Sequence, residues 1–147
     1  MISSVCVDAG VFVKVLVQEN LSDVARRQWE RWTLVEKRKL IAPVLFLFEV
    51  VAVLRKQVYQ GRLTLKEGSV ALDVLLDANV EVVTSTALHR RAWKLADHFN
   101  RPTAYDAHYL ALAEVEGCEF WTADERLYNS VKDDFPLIRW LGELTGR

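Results

Sequence analysis

Hydrophobic and polar positions along this chain follow two alternating periodicities. Short apolar runs rich in β-branched residues predict strands, and longer segments with apolar residues three or four positions apart predict helices. Alternation of strands and helices of these lengths predicts an α/β fold with a mostly parallel sheet covered by helices on both sides. The predicted strands are residues 3–8, 39–42, 80–84, 119–122 and 137–141, and the predicted helices are residues 11–17, 22–36, 44–59, 64–77, 85–99, 103–114 and 124–131.

Capping and breaking residues mark several of these boundaries. Ser22 is the expected N-cap of the second helix, and Pro43 suits the start of the third helix, which Gly61 ends. Thr64 and Glu67 have the spacing of a capping box and are expected to open the next helix.

The helix at residues 103–114 carries a carboxylate in an otherwise apolar setting. Apart from tyrosine hydroxyls and one histidine, Asp106 is the only polar side chain between positions 105 and 113. Burying an ionised carboxylate without a partner costs several kcal/mol, so a proton, a cationic side chain or a metal should neutralise it. Asp106 is therefore expected against the core, with a compensating partner.

Three more acids are placed in the same way. Asp8 is the only charge in the first 13 positions and ends a predicted strand, and Glu49 is the only polar residue in the run 44–54. Asp124 lies at the exit from the predicted strand 119–122. Sites in open parallel sheets lie outside the carboxyl ends of the strands, so these acids and Asp106 are expected to converge there.

Each acid also has an ordinary structural explanation. Thr103 and Asp106 fit one capping box, and Thr122 and Glu125 fit another, which would leave Asp124 as a turn residue. The acid after the first strand could serve as nothing more than the cap of the next helix, and the acid in the long apolar run could pair with Arg or Lys. These explanations combine poorly, because caps belong on the surface, whereas a shared metal accounts for all four acids.

An oxygen-only set of carboxylates suits Mg²⁺ or Mn²⁺ better than zinc. Such a site holds a phosphate oxygen and acidifies a bound water, so phosphodiester hydrolysis is the expected chemistry. A haloacid-dehalogenase-type phosphatase would need Asp-x-Asp after the first strand, where this chain has Asp8-Ala-Gly10. A receiver domain would need an adjacent acidic pair there, which is also missing.

Composition bounds the remaining possibilities. A length of 147 residues is expected to form a single domain, residues 1–147, and a net charge of −1 means that any nucleic-acid contact must be local. The longest apolar run, residues 40–54, is too short for a membrane-spanning helix. With no signal-peptide pattern, and with Cys6 and Cys118 expected to be reduced, a cytoplasmic location is expected.

Three segments carry a resemblance to a known family. VCVDAGVFVK at 5–14, YDAHYLALAE at 105–114 and WTADERL at 121–127, with Pro43 and Glu49 between them, resemble in order and spacing the PIN-domain family, specifically its VapC-type toxins. The resemblance implies a PIN-like three-layer sandwich, with a mostly parallel central sheet of four to five strands and helices on both faces. It also implies an endoribonuclease, RNA as substrate, a homodimer and a small antitoxin partner.

The resemblance assigns roles to five residues. It implies that Asp8, Glu49, Asp106 and Asp124 form the acidic quartet that binds Mg²⁺ or Mn²⁺, with Thr122 at a hydroxyl position two residues before the last acid. One departure is Gly10, which stands where the family usually has Ser or Thr. This departure leaves open a catalytically degenerate PIN-like module that acts by recognition, and a flap-endonuclease-like DNA nuclease is a third alternative.

Overall fold

The computed structural model describes residues 3–145, which contain a parallel sheet with helices between its strands. The strands are β1 (Ser4–Val7), β2 (Lys39–Pro43), β3 (Val80–Val83), β4 (Glu119–Thr122) and β5 (Ile138–Trp140). The α-helices are α1 (Ala9–Leu16), α2 (Ser22–Glu30), α3 (Leu45–Tyr59), α4 (Leu65–Asp77), α5 (Thr86–His98), α6 (Tyr105–Glu116) and α7 (Glu125–Val131). A π-helical turn, Arg31–Val35, extends α2, and a 3-10 turn, Leu141–Leu144, follows β5.

Within the described residues the sheet has five strands in the order β3-β2-β1-β4-β5, and every pair is parallel. Cys6 in the central strand faces Ile41 on one side and Phe120 on the other. Parallel strands with both faces covered are expected to be apolar, as the wholly buried Val5, Cys6 and Val7 are. The predicted α/β sandwich with a parallel sheet is confirmed.

The strand order reverses at β1. Since β1 leads to β2 on one side and β4 lies on the other, right-handed crossovers put α1–α4 over one face of the sheet and α5–α7 over the opposite face. A crevice opens at such a reversal, between the loops that leave the two adjacent strands in opposite directions. The residues that follow β1 and β4 line this crevice.

Helix α6 is deeply buried, with six of its twelve residues in the core. Its residues Leu110, Ala111, Leu112 and Ala113 are completely inaccessible to water, and Tyr109 is 2% exposed. The ring of Tyr109 stacks on Phe120 of β4, with 5.3 Å between ring centroids. The start of α6, which carries Asp106, is therefore held at a fixed height above the carboxyl ends of the strands.

Two predicted boundaries were wrong. Ser22 is not the N-cap of α2, because its hydroxyl donates to the Val17 carbonyl and accepts from the Glu19 amide, while Leu21 precedes the helix in a left-handed conformation. Pro43 does not open α3 but ends β2, opposite Val83, where the loss of a backbone donor interrupts little of the ladder.

The predicted helix 22–36 is also not uniform. Its last turn, Arg31–Val35, is π-helical, which shifts the phase of the side chains that follow. Trp32 in this turn is 1% exposed and packs edge-on against Trp29 and Trp121. A periodicity of 3.6 residues cannot predict such a change of phase.

Other boundary signals are confirmed. Thr64 and Glu67 form the reciprocal capping box of α4, and the predicted start of the fifth helix at residue 85 agrees with α5, where the Ser85 hydroxyl accepts from the Leu88 amide. Cys6 and Cys118 are buried free thiols, as expected. None of the helices in residues 3–145 has the combined length and apolar character that a bilayer crossing needs.

Strand β3 forms one edge of the sheet. Its burial pattern leaves Glu81 and Val82 exposed, and Glu81 forms an ion pair with Lys39 at the start of β2. Both side chains of this pair are about half exposed.

Truncation of the core of α6 tests how strongly the fold depends on it. Leu110→Ala should lower the free energy of unfolding by about 2–5 kcal/mol, because it leaves a cavity at a position with no access to water. The matched control on the same helix is Val115→Ala, where the side chain is 64% exposed and the change should stay within about 0.5 kcal/mol. Equal effects in urea denaturation would contradict this account.

Candidate functional site

The four acids singled out in the sequence line one cavity. It has a volume of about 350 Å³ and lies at the carboxyl ends of β1 and β4, where the strand order reverses. Among its described lining residues are five carboxylates and one lysine, Lys14, which is itself paired with Glu19 at 3.3 Å. The four predicted acids on its wall are Asp8, Glu49, Asp106 and Asp124.

Asp8 follows β1 and is held by three donors. Its Oδ1 accepts from the Val11 amide at 2.8 Å, which caps α1, and its Oδ2 accepts from the Thr122 hydroxyl and, at 3.4 Å, from the Ala123 amide. Thr122 is completely buried at the end of β4, and its hydroxyl oxygen accepts from the Asp124 amide at 2.9 Å. Thr122 thus connects the first and last acids of the predicted quartet.

Burial raises the pKa of Asp8 from its ordinary 3.8 to about 6. The hydrogen bonds from Thr122, Val11 and Ala123 lower the pKa, but they do not offset the loss of hydration, and the negative charge of Glu49 raises it further. Near neutral pH the carboxylate is therefore ionised at a free-energy cost that a nearby cation would relieve.

Glu49 lies in the second turn of α3 and accepts a hydrogen bond from the Tyr109 hydroxyl at 2.8 Å. Burial and the charge of Asp106 raise the pKa of Glu49, while the Tyr109 hydrogen bond opposes the increase. The expected alternative of a pairing with Arg or Lys is wrong, because the partner is a buried phenol. Burial also raises the pKa of Tyr109, so it remains a donor at neutral pH.

Sequence reasoning missed Tyr109 as a site residue. Its signal was its position three residues after Asp106, which puts both side chains on one side of α6. Its aromatic ring belongs to the core and its hydroxyl reaches the cavity. A residue of α6, on one face of the sheet, therefore fixes the side chain of Glu49 in α3, on the opposite face.

Asp106 lies in the first turn of α6, and its side chain is 38% exposed, so it borders the core instead of being enclosed by it. Its Oδ2 accepts from Arg101 Nη2 at 3.1 Å. The capping-box alternative with Thr103 is wrong, because the N-cap is Ala104 and no side chain caps this helix. Arg101 is a second residue that sequence reasoning missed.

Asp124 caps α7, and its Oδ1 accepts from the Arg126 and Leu127 amides at 2.9 and 3.2 Å. The alternative capping box of Thr122 and Glu125 is therefore wrong, since Asp124 takes the capping role while Thr122 serves Asp8. Oδ2 of Asp124 makes none of these bonds, and the residue lines the cavity.

Gly10, the departure from the family pattern, lies directly against Asp8. A Cβ atom at this position would be 3.3 Å from Cβ of Ala123 and 3.4 Å from Oδ1 of Asp8. A serine would thus need a shift of a few tenths of an ångström, and any hydroxyl there would stand beside the first acid of the site.

The donor set suits a hard divalent cation. In residues 3–145 no three His, Cys, Asp or Glu side chains are already gathered closely enough to form a metal-ligand group. The cavity nevertheless offers carboxylate oxygens without sulfur or imidazole, and Glu49, Asp106 and Asp124 each engage one carboxylate oxygen in the hydrogen bonds above. Asp106 and Glu19 are paired with Arg101 and Lys14, but the other three carboxylates of the cavity have no such cation within the described part of the chain, and oxygen donors with an excess of negative charge fit Mg²⁺ or Mn²⁺.

Comparison with known proteins gives relatives in sequence and in structure. Ribonuclease VapC9 of Mycobacterium tuberculosis and VapC ribonuclease Mb0985 of Mycobacterium bovis are each 30% identical over 133 residues, which cover 90% of this chain and 95% of each relative. The crystal structure of PAE2754 from Pyrobaculum aerophilum has a TM-score of 0.69 at 21% identity and covers 97% of this chain and 92% of its own.

A second solved structure, Mycobacterium tuberculosis VapC20, described as a sarcin-ricin-loop-cleaving toxin, has a TM-score of 0.64 at 18% identity. It covers 89% of this chain and 95% of its own. At these identities the two structures share the fold. A family model described as PIN domain matches residues 5–132, and together with the 30% identical relatives this match shows that the chain belongs to the PIN domain family.

Proposed function

We propose that this protein is a metal-dependent endoribonuclease that hydrolyses RNA phosphodiester bonds. The observation that carries the proposal is the lining of one cavity, at the reversal of strand order, by Asp8, Glu49, Asp106 and Asp124. The names of the VapC ribonuclease relatives support RNA as the substrate. The oxygen-only donor set supports Mg²⁺ or Mn²⁺ as the cofactor.

Each residue has a proposed task. Asp8, Asp106 and Glu49 would hold the cation directly or through water, and Asp124 would complete the site or orient the attacking water. When bound, the cation supplies positive charge to the phosphate and makes water more acidic. Thr122 orients Asp8 through its hydroxyl, and Tyr109 orients Glu49 in the same way.

We further propose that the chain is the toxin of a VapBC-type toxin–antitoxin pair. A small antitoxin would be its partner, the protein would act as a homodimer, and residues 1–147 would form a single PIN domain. The sequence relatives that carry the VapC name over nine-tenths of this chain support the toxin assignment. A degenerate binding module is the second candidate, and Gly10 beside Asp8 is the observation that favours it.

Asp106→Asn tests the site directly. The variant should lose Mn²⁺ binding in calorimetric titration and lose RNA cleavage, because it removes charge and keeps shape. Its free energy of unfolding should change by about 1 kcal/mol or less, since the ion pair with Arg101 is partly exposed. Asp77→Asn, at the exposed end of α4, is the matched control and should behave as wild type.

A fully active Asp106→Asn protein would refute the proposed mechanism. Binding of Mn²⁺ without cleavage of any RNA by the wild type would favour the recognition module. A titration repeated with RNA present tests whether the substrate is needed to complete the metal site.

The pKa of Asp8 predicts how metal binding depends on pH. Since this pKa is raised to about 6, a proton competes with the cation as the pH falls through that value. Mn²⁺ affinity should be roughly constant above pH 7 and about tenfold weaker at pH 5. Calorimetry across this range measures the effect, with circular dichroism as the check on folding. An affinity unchanged between pH 7 and pH 5 would contradict the role of Asp8.

A further inference from the structure

A second cavity, of about 270 Å³, lies beside the acidic cavity and is linked to it by one side chain. Arg101 lines this second cavity and also donates to Asp106 on the wall of the first. We propose that the second cavity, which we name the flanking subsite, binds one nucleotide of single-stranded RNA next to the cleaved phosphate. Trp93 would stack on the base and Arg101 would bind the phosphate. The inference rests on the proposed function, because it assigns the neighbouring part of the same substrate.

Trp93 has an exposure that packing does not explain. Its indole is 76% exposed, whereas Trp32 and Trp121 are buried and the remaining two tryptophans are partly buried. Helix α5 uses Leu88, Ala92 and Leu95 to pack on the protein, so Trp93 stands outside that packed face. Proteins that bind single strands stack unpaired bases on exposed aromatic rings, and Trp93 presents such a ring at the rim of this cavity.

Arg101 is held in place and still has unused donors. Its Nη1 donates to the Ser130 hydroxyl of α7 at 3.1 Å and its Nη2 donates to Asp106 at 3.1 Å, so each of these two nitrogens keeps a further N–H, whereas the Nε is buried out of reach of a ligand. A guanidinium has five N–H donors in a planar fork that matches phosphate oxygens. Two contacts from different helices therefore fix the group without saturating it.

Charge explains why the phosphate should lie at this border. The acidic cavity repels an RNA phosphate until a cation is bound, and the chain has a net charge of −1, so attraction must come from individual residues. Arg101 provides a positive charge at the edge of that cavity, and Arg90 and Lys94 are exposed on the same helix as Trp93, outside the lining of the flanking subsite.

Asp97 gives the flanking subsite a means of discrimination. It lines the same cavity as Trp93, one helical turn further along α5. A carboxylate accepts hydrogen bonds from exocyclic amino groups, such as that of cytosine, and repels the carbonyl edge of uracil. The flanking subsite should therefore favour a base that presents an amino group.

The test measures RNA affinity separately from cleavage. A short fluorescein-labelled single-stranded RNA of mixed sequence is titrated with protein in a buffer that contains Ca²⁺ in place of Mg²⁺ or Mn²⁺, so that the acidic cavity is neutralised, and the anisotropy and the integrity of the RNA are followed. Trp93→Ala should weaken binding about tenfold, while Trp93→Phe should retain most of the affinity because it keeps a stacking ring. Arg101→Gln should also weaken binding, and Arg101→Lys should fall between it and the wild type.

Two controls match these changes elsewhere on the surface. Tyr59→Ala removes an aromatic side chain that is 81% exposed at the end of α3, and Arg91→Gln removes an arginine that pairs with Glu114 between α5 and α6. Both should bind the RNA as wild type does. Circular dichroism checks that each variant is folded, as expected for Trp93 given its exposure.

The outcomes separate the two levels of the argument. Wild-type protein that cleaves RNA, with Trp93→Ala and Arg101→Gln equal to it in RNA affinity, would overturn the flanking subsite and leave the proposed function intact. If Trp93 contacts a protein partner instead of RNA, its replacement will leave the RNA affinity unchanged, and that outcome also contradicts the flanking subsite. Wild-type protein that neither binds nor cleaves RNA would overturn both.

Discussion

The hydrogen bond from the Thr122 hydroxyl to Asp8 is the interaction on which the site depends. It joins the carboxyl ends of β1 and β4 at the reversal of strand order, and the same hydroxyl oxygen accepts the Asp124 amide. Asp8 also caps α1, so one carboxylate sets the position of a helix, a strand end and the wall of the cavity. Because Asp8 is fixed by these contacts, the protein keeps it ionised in a poorly hydrated place instead of letting it turn outward.

The four acids could be identified from the sequence because the apolar character of the residues around each of them is a local property. A lone charge at the end of an apolar strand, as at Asp8, or inside an apolar helix, as at Glu49, is visible without knowing the fold. The alternation of strand and helix periodicities predicted a parallel sheet, in which the carboxyl ends of the strands lie at one edge. The structure brings all four acids to one cavity there, and their role as ligands stays a prediction.

The partners of these acids were harder to predict. Tyr109 lies 60 positions from Glu49, and its hydroxyl reaches that acid only because α3 and α6, which cover opposite faces of the sheet, both border the cavity at the carboxyl ends of the strands. Arg101 is close to Asp106 in sequence, but it lies in a short loop, where no periodicity predicts the direction of its side chain. Capping also misled the interpretation, since Asp8 and Asp124 are caps and cavity residues at once, so the two explanations were not exclusive.

The charged pair at the edge of the sheet has a consequence for how the protein behaves in a crowded solution. An open edge strand exposes unpaired backbone groups that can recruit a strand from another molecule, and β3 is short and apolar enough at Val80, Val82 and Val83 to do so. Glu81, held by Lys39, puts a charge in the middle of that edge. A second molecule would have to bring its own strand against this charge, so the pair acts as a barrier to edge-to-edge aggregation while the sheet remains open on that side.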